Sequence, residues 1–457
     1  MGAQRVQWTW IFASLLLVTS LFFLGWQDDR TEFVYLSSFY IAAFASYIVL
    51  IKSRSIRFRN LIITAILAQV VSCLFEPNLS IDYYRFLWDG ELMWHGINPF
   101  DYTPDELAKN GFIDSSYLNE IYEGIGAQSG RNYSCYPPVN QFYFLLSTAF
   151  SNSVWVNAIV MKLLILLTEF AGAYFMMKLF DHFGIAKSRL WVLFLNPLWI
   201  IECTGNTHFE GVMISLLIIA FYYLLTQRLI VGALVFALAV QIKLVPLILL
   251  PFFFRYFGFK RSVLVYAIVL SLAFGLSFTL LNTENIDNFM QSLALYFQAF
   301  EFNSFLYYNI LQIGKPFYGG YSPIRIVGPI ISKISLGLVV LTALLKPIDF
   351  WKTLFTRMLF GYFIYLLLSS TLHPWYVFPL LFLSVFTDFS FPIAWSFLIF
   401  FSYFFYNVGN GSADSVRLMV SIEYAILFAY TIWELLRRGS PFKWLRVSDY
   451  FQPISVR

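Results

Sequence analysis

The chain has 457 residues, 59% of them hydrophobic and only 12% charged, with a formal net charge of +4 and a mean hydropathy of +0.69. Soluble domains carry about 25% charged residues, so this much apolar surface cannot be hidden in a water-soluble core. The composition excludes a soluble enzyme, and without a basic stripe it excludes a nucleic-acid-binding protein. Spanning barrels alternate apolar and polar residues. The apolar runs here are continuous, as in Trp8 to Trp26, so the spans are helices. The expected fold class is an all-α polytopic membrane protein, one integral domain over 1–457 with about 13–14 transmembrane or partial helices at about 20 residues per full crossing.

In chain order the apolar runs cover 8–26, 33–51, 60–76, 155–177, 189–203, 210–227, a pair within 229–255, 262–282, 327–345, 354–370, 374–388, 390–407 and 417–436. The first reads as a retained span, because no small-residue cleavage site follows it and Asp28 and Asp29 do. The connection after the second holds Lys52, Arg54, Arg57 and Arg59, a cytoplasmic mark. Lys187 with Arg189, Lys260 with Arg261, Lys346, Lys352 and Arg357, and Arg437, Arg438, Lys443 and Arg446 fall on the same side. About two-thirds of the 30 cations lie there. Both termini are therefore expected in the cytoplasm, which makes 77–154 and 283–326 two large extracytoplasmic loops of a plasma-membrane protein. Asn285 to Phe302 has loose helical spacing and reads as an interfacial helix. Cys73, Cys135 and Cys203 lack metal spacing and suggest no disulfide framework.

The charge rule makes a sharper demand on 229–255. One helix there would send Arg255, Lys260 and Arg261 outside. Two short helices meeting near Gln241–Pro246 keep the rule, at about 18 Å each against a core of about 30 Å. A broken hairpin is expected, with Lys243 at its tip facing a polar cavity, since irregular backbone does not face lipid.

Polar residues concentrate between Ser80 and Phe100, in the first large loop. On a helix, Asp82 and Asp89 stand about two turns apart with Arg85 on broadly the same side. A carboxylate near apolar walls gains proton affinity and an arginine lowers it, a combination suited to a general base or to a structural ion pair. Gly96 to Phe100, with Asn98, and Tyr136 to Pro138 are rigid turns. Glu202, Asn206, His208 and Glu210 stand at span ends, as hydrated helix termini or as walls of the same cavity. Glu169 lies mid-span, where an ionisable group faces a cavity or a partner such as Lys162 or Lys178. Lys243, Arg325 and His373 fall at similar depth. Such groups either snorkel or hold a phosphate.

The run D-Y-Y-R-F-L-W-D-G (Asp82 to Gly90), with G-I-N-P-F and Y-P-P-V-N-Q, resembles the first catalytic loop of bacterial polyprenol-phosphate-dependent mannosyltransferases of the GT-C superfamily. N-P-L-W-I-I-E and G-N-T-H-F-E (Asn196 to Glu210), Q-I-K-L-V-P (Gln241 to Pro246) and H-P-W-Y (His373 to Tyr376) are similar to the same group. The resemblance covers roughly 8 to 410. It implies an inverting transfer of a sugar, mannose first, from a polyprenyl phosphate to an acceptor hydroxyl on a glycan, lipid or protein. It implies Asp82 or Asp89 as base, and Arg85, Lys243, Arg325 and His373 at the donor phosphate. Trp88, Asn98, Tyr136, Glu202, Asn206, His208 and Glu210 would line the cavity. Relatives often carry two adjacent acids before Y-x-R-F, and here the first is Ile81. Many place the acid after the first span, where this chain has Asp28 and Asp29. No cofactor is expected, and relatives are mixed on divalent metals. The rival readings are a flippase or transporter of lipid-linked sugars, and a glycan ligase or polymerase.

Overall fold

The structure is a computed structural model that describes residues 2–438 apart from 54, 299, 321, 346 and 408–412. Arg54, Lys346, Lys443 and Arg446 thus lie outside the described residues. Among those described, regular structure is helical, with a single isolated bridge pairing Phe302 and Thr371. Six helices are long and apolar enough to cross a membrane. A pair bent by 110°, Pro197–Gly205 with Glu210–Leu225, would make a seventh, and five shorter apolar helices accompany them. Phe12, Leu167, Phe274 and Leu436 are among many large apolar side chains left exposed on these helices, as lipid-facing surfaces require.

Helices α1 (Gly2–Trp26) and α2 (Phe33–Lys52) form a hairpin that α3 (Phe58–Cys73) joins on α1. In the connecting turn Asp29 accepts from the Thr31 amide and hydroxyl at 2.8 and 2.7 Å. The first large loop folds into α4 (Asp82–Trp94), α5 (Pro104–Lys109), α6 (Ser116–Ser129) and α7 (Pro138–Ser147) before α8 (Val154–Phe183) crosses. Helix α5 begins with a full capping box of Thr103 and Glu106, with Pro104 at its first position. Short helices α9 (Trp191–Phe194) and α10 (Pro197–Trp199) run into a π-helical turn, Ile200–Gly205, and the chain bends into α11 (Glu210–Leu225). The bend leaves Thr207 at φ 59°, a costly conformation for a β-branched residue.

The broken hairpin is present. Helix α12 (Leu229–Ile242) stops at Lys243, which is extended, and a 3₁₀ turn from Val245 leads into α13 (Leu250–Phe257). Then come α14 (Phe259–Ser277), α15 (Ile286–Gln298), α16 (Phe305–Gly314), α17 (Ile324–Leu344) and α18 (Trp351–Leu367). The chain finishes with α19 (Phe378–Ser384), α20 (Phe391–Leu398), a 3₁₀ stretch Ile399–Asn407 and α21 (Ala413–Arg438). The helix expected within 285–302 is α15.

Alternating chain direction sorts the connections to two ends. At one, the site end, Asn78 and Leu79 donate backbone amides to Asn206, Arg30 lies over Tyr406, and Asn98 donates to the Leu280 carbonyl. At the other, Arg189 donates to the carbonyls of Val385 and Thr387 and Arg261 to Gln227. Buried Lys162 donates to the Ser72 and Phe75 carbonyls, capping α3. Mid-bundle Glu169 receives Gln69 instead of Lys162 or Lys178. Cys73, Cys135 and Cys203 are not joined in disulfides.

Candidate active site

Asp82 opens α4, where a carboxylate complements the helix dipole. The loop leading to it is pinned from both sides. The Asn78 side-chain amide reaches the Leu24 and Gln27 carbonyls at the end of α1, both at 2.6 Å. Asp82 itself is half-buried. Burial raises its carboxyl above the usual carboxylate range, while Lys243, Arg30 and a hydrogen bond from Ser80 pull it back down. Its charge is also felt by Glu202 and Glu210.

Asp89, seven residues on, has no exposure. One oxygen takes the Arg85 guanidinium at 2.8 Å, and the other takes the Ser134 hydroxyl and the Gln141 amide. Arg85 also donates to the carbonyls of Asn132, at 2.7 Å, and Ser129. This pair is a buried knot that ties α4 to α7 and to the segment between them. It leaves Arg85 facing carbonyl oxygens rather than an open anion site, and Asp89 sealed behind three donors.

The bend before α11 builds the deeper wall. Lys243 donates to Glu210 at 2.6 Å. His208 Nε2 lies 3.5 Å from Glu202, whose other oxygen accepts from the Tyr403 hydroxyl at 2.6 Å. The His208 ring stacks on Trp375 at 3.5 Å between centroids, Trp375 on His373 at 4.6 Å, and His373 on Phe302 at 4.7 Å. Four rings from three distant segments thus form one column, and Lys243 acts electrostatically on both histidines.

Asp82, Glu202, His208, Glu210, Lys243 and His373 therefore come together. Asn206 supports them by accepting two backbone amides. The other expected residues stand elsewhere. Trp88 is fully buried against Phe112 and Tyr122, a core position of the first loop. Tyr136 packs edge-on against Phe86 and Phe144. Asn98 ties the first large loop to the chain just after α14, and Arg325 is exposed on the first turn of α17. Asp28 and Asp29 are exposed, with Asp29 engaged by Thr31.

Nothing in the local sequence pattern marks Phe302 or Tyr403 for this site, and Trp375 stands out only as part of H-P-W-Y. Arg30 had a usable signal, because it is a cation in a short loop on the side the charge rule keeps poor in cations. It lies 4.2 Å over the Tyr406 ring. An apolar groove of about 420 Å³ opens between α12 and α14, lined by Val240, Gln241, Leu244, Leu247, Leu270 and Phe274. Among the described residues no group of three or more His, Cys, Asp or Glu is arranged to hold a metal ion.

A family model described as alpha-(1->6)-mannopyranosyltransferase, N-terminal domain, matches residues 16–257. Alpha-(1->6)-mannopyranosyltransferase A of Corynebacterium glutamicum is 26% identical over 189 residues, which is 40% of this chain and 36% of that protein. The match thus spans about a third of that relative's length. The family segment contains Arg30, Asp82, the Glu202–Glu210 bend and Lys243, while His373 and Trp375 lie beyond it.

Proposed function

Because the chain belongs to the alpha-(1->6)-mannopyranosyltransferase family, we propose that it transfers mannose from a polyprenyl phosphate to an acceptor hydroxyl, inverting the anomeric carbon. The observation that carries this reading is Asp82, half-buried across from Lys243 and Arg30 at the mouth of a buried polar cluster. Asp82 takes the proton of a hydroxyl on a glycan, lipid or protein. The hydroxyl oxygen bonds to the anomeric carbon while that carbon's bond to the phosphate oxygen breaks. The phosphate leaves with the electron pair, and Lys243, held by Glu210, meets its growing charge. Arg30 adds a second positive charge near Asp82. His373 stands behind Lys243 in the ring column. Arg85 and Asp89 keep α4 in place.

The groove between α12 and α14 supports a lipid donor. It is apolar, reaches exposed Leu270 and Phe274, and has in its wall Gln241 and Leu244, which flank Lys243 in the chain. A prenyl chain lying there would run up to the break that carries Lys243. The cations Lys52, Arg57, Arg59, Lys187, Arg189, Lys260 and Arg261 gather at the opposite end, which we assign to the cytoplasm. The transfer site and its acceptor are then extracytoplasmic.

The test is transfer of labelled mannose from polyprenyl phosphate mannose by the purified chain and its Asp82→Asn variant. Removing a general base costs about 10²–10⁴-fold, so the variant should lose at least two orders of magnitude in turnover while staying folded. Full turnover by a folded Asp82→Asn protein rules the mechanism out.

A further inference from the structure

Among the described residues, a short backbone bridge joins the second large loop to the segment before His373. The Phe302 amide donates to the Ser370 carbonyl at 3.1 Å, and the Leu372 amide to the Phe302 carbonyl at 2.8 Å. The Thr371 hydroxyl reaches the Phe300 carbonyl at 3.0 Å. The pairing sets the Phe302 ring on His373, the outer member of the ring column.

The next residue, Asn303, has φ 50°. Left-handed backbone is unfavourable outside glycine, and Asn tolerates it best among the rest. Such a residue persists only where its surroundings hold it. Here α21 does so. Buried Glu423 accepts from the Asn303 amide and, at 2.9 Å, from the Trp395 indole N–H, and the neighbouring Tyr424 hydroxyl donates to the Asn303 carbonyl at 2.9 Å. A carboxylate 120 residues downstream thereby fixes the turn from which Phe302 projects.

We infer that Glu423 is a positioning residue for the transferase site. It holds Asn303 in its left-handed turn, and so seats Phe302 on the His373–Trp375–His208 column that backs Lys243. Without it, Asn303 relaxes to negative φ, Phe302 leaves His373, and the wall behind the donor phosphate loosens. This inference rests on the proposed function for its kinetic consequence but not for its structural one, and the experiment separates the two.

Glu423→Ala and Glu423→Gln are made in the full chain and compared by hydrogen exchange over 300–304 and 370–373, and by donor KM and kcat. Glutamine keeps an acceptor oxygen for both donors. Exchange in both segments should quicken at least tenfold in the alanine variant and stay near the original rate in the glutamine variant. Donor KM should rise at least fivefold in the alanine variant with kcat within twofold, and the glutamine variant should restore it. Should Glu423→Ala fold poorly, Asn303→Asp sets a carboxylate against Glu423 and should loosen the same two segments. Adding Glu423→Gln should then tighten them again. Unchanged exchange in these variants overturns the inference, as does faster exchange with unaltered donor KM. A parent chain that does not use the prenyl donor ends the proposed function, and exchange alone then decides whether Glu423 holds the turn.

Discussion

Asp82 and Asp89 share a helix and a charge, and their neighbours set them to different work. Asp89 is closed off by Arg85, Ser134 and Gln141, so Asp89→Asn should act on folding first. Breaking a buried ion pair by removing one partner costs about 3–5 kcal/mol, because Arg85 keeps its charge. The expected reading is a large loss of folded yield and thermal stability, with the surviving folded fraction close to normal in turnover. Asp82 is half-buried, with Ser80, Lys243 and Arg30 among its neighbours, so its substitution should spare the fold and remove the reaction. Its pH dependence follows from the same neighbours. The base works deprotonated, and burial raises its proton affinity, so kcat/KM should climb with pH on a limb displaced upward from ordinary carboxylates. Lys243 stabilises the charged form. Lys243→Met therefore raises the Asp82 carboxyl further, and the limb in the residual activity should move to higher pH. A limb that stays put or moves down contradicts this assignment.

Between elements, close approach decides what can change. Gly90 lies where α4 crosses α7, and an added Cβ would stand 2.5 Å from the Phe144 carbonyl oxygen. That obstacle is backbone and cannot swing aside. Gly90→Ala should cost about 1–3 kcal/mol by overpacking, measured as a fall in melting temperature. The α12–α14 groove responds differently because it is open. Ser271→Trp should fill it, raising KM for a long-chain prenyl donor while leaving KM for a short-chain donor nearly unchanged. Equal KM values for both chain lengths in the parent protein and the variant would sever the groove from the donor. The break between α12 and α13 was legible from sequence, because only a hairpin kept Arg255, Lys260 and Arg261 with the other cations. The Asp89 knot was not. Arg85 was visible at four residues' spacing, but Ser134 and Gln141 lie 45 and 52 residues away, and nothing in their local pattern points back to α4. The ring column was hidden for the same reason, since periodicity reports a helix face and not which distant ring covers it.

Across the whole molecule, the candidate site and the arginine-rich connections occupy opposite ends. The acids and Lys243 gather where the large loops are, and the arginine-rich connections gather at the far side. With Cys73, Cys135 and Cys203 replaced by serine, a cysteine at exposed Asn119 should react with an impermeant maleimide in intact cells, and one at Lys187 only after permeabilisation. The reverse pattern would invert the sidedness assigned to the site. Composition made the helical, polytopic class legible, and the family motifs marked the Asp82 loop and the Glu202–Glu210 bend. What composition could not supply was closure, in which Arg30 meets Tyr406 and Phe302 meets His373 only after the last helices return.

That the Arg85–Asp89–Ser134–Gln141 knot closes entirely within the first loop has a consequence for synthesis. All four residues leave the ribosome within a short stretch of chain, so α4 and α7 lock together early. Lys243 follows Asp82 by some 160 residues, roughly 10–30 s at 5–20 residues per second. During that interval the nascent chain carries this platform, and Asp82 has no Lys243 ammonium to face. On the proposed mechanism, transfer then waits for the tip of the broken hairpin.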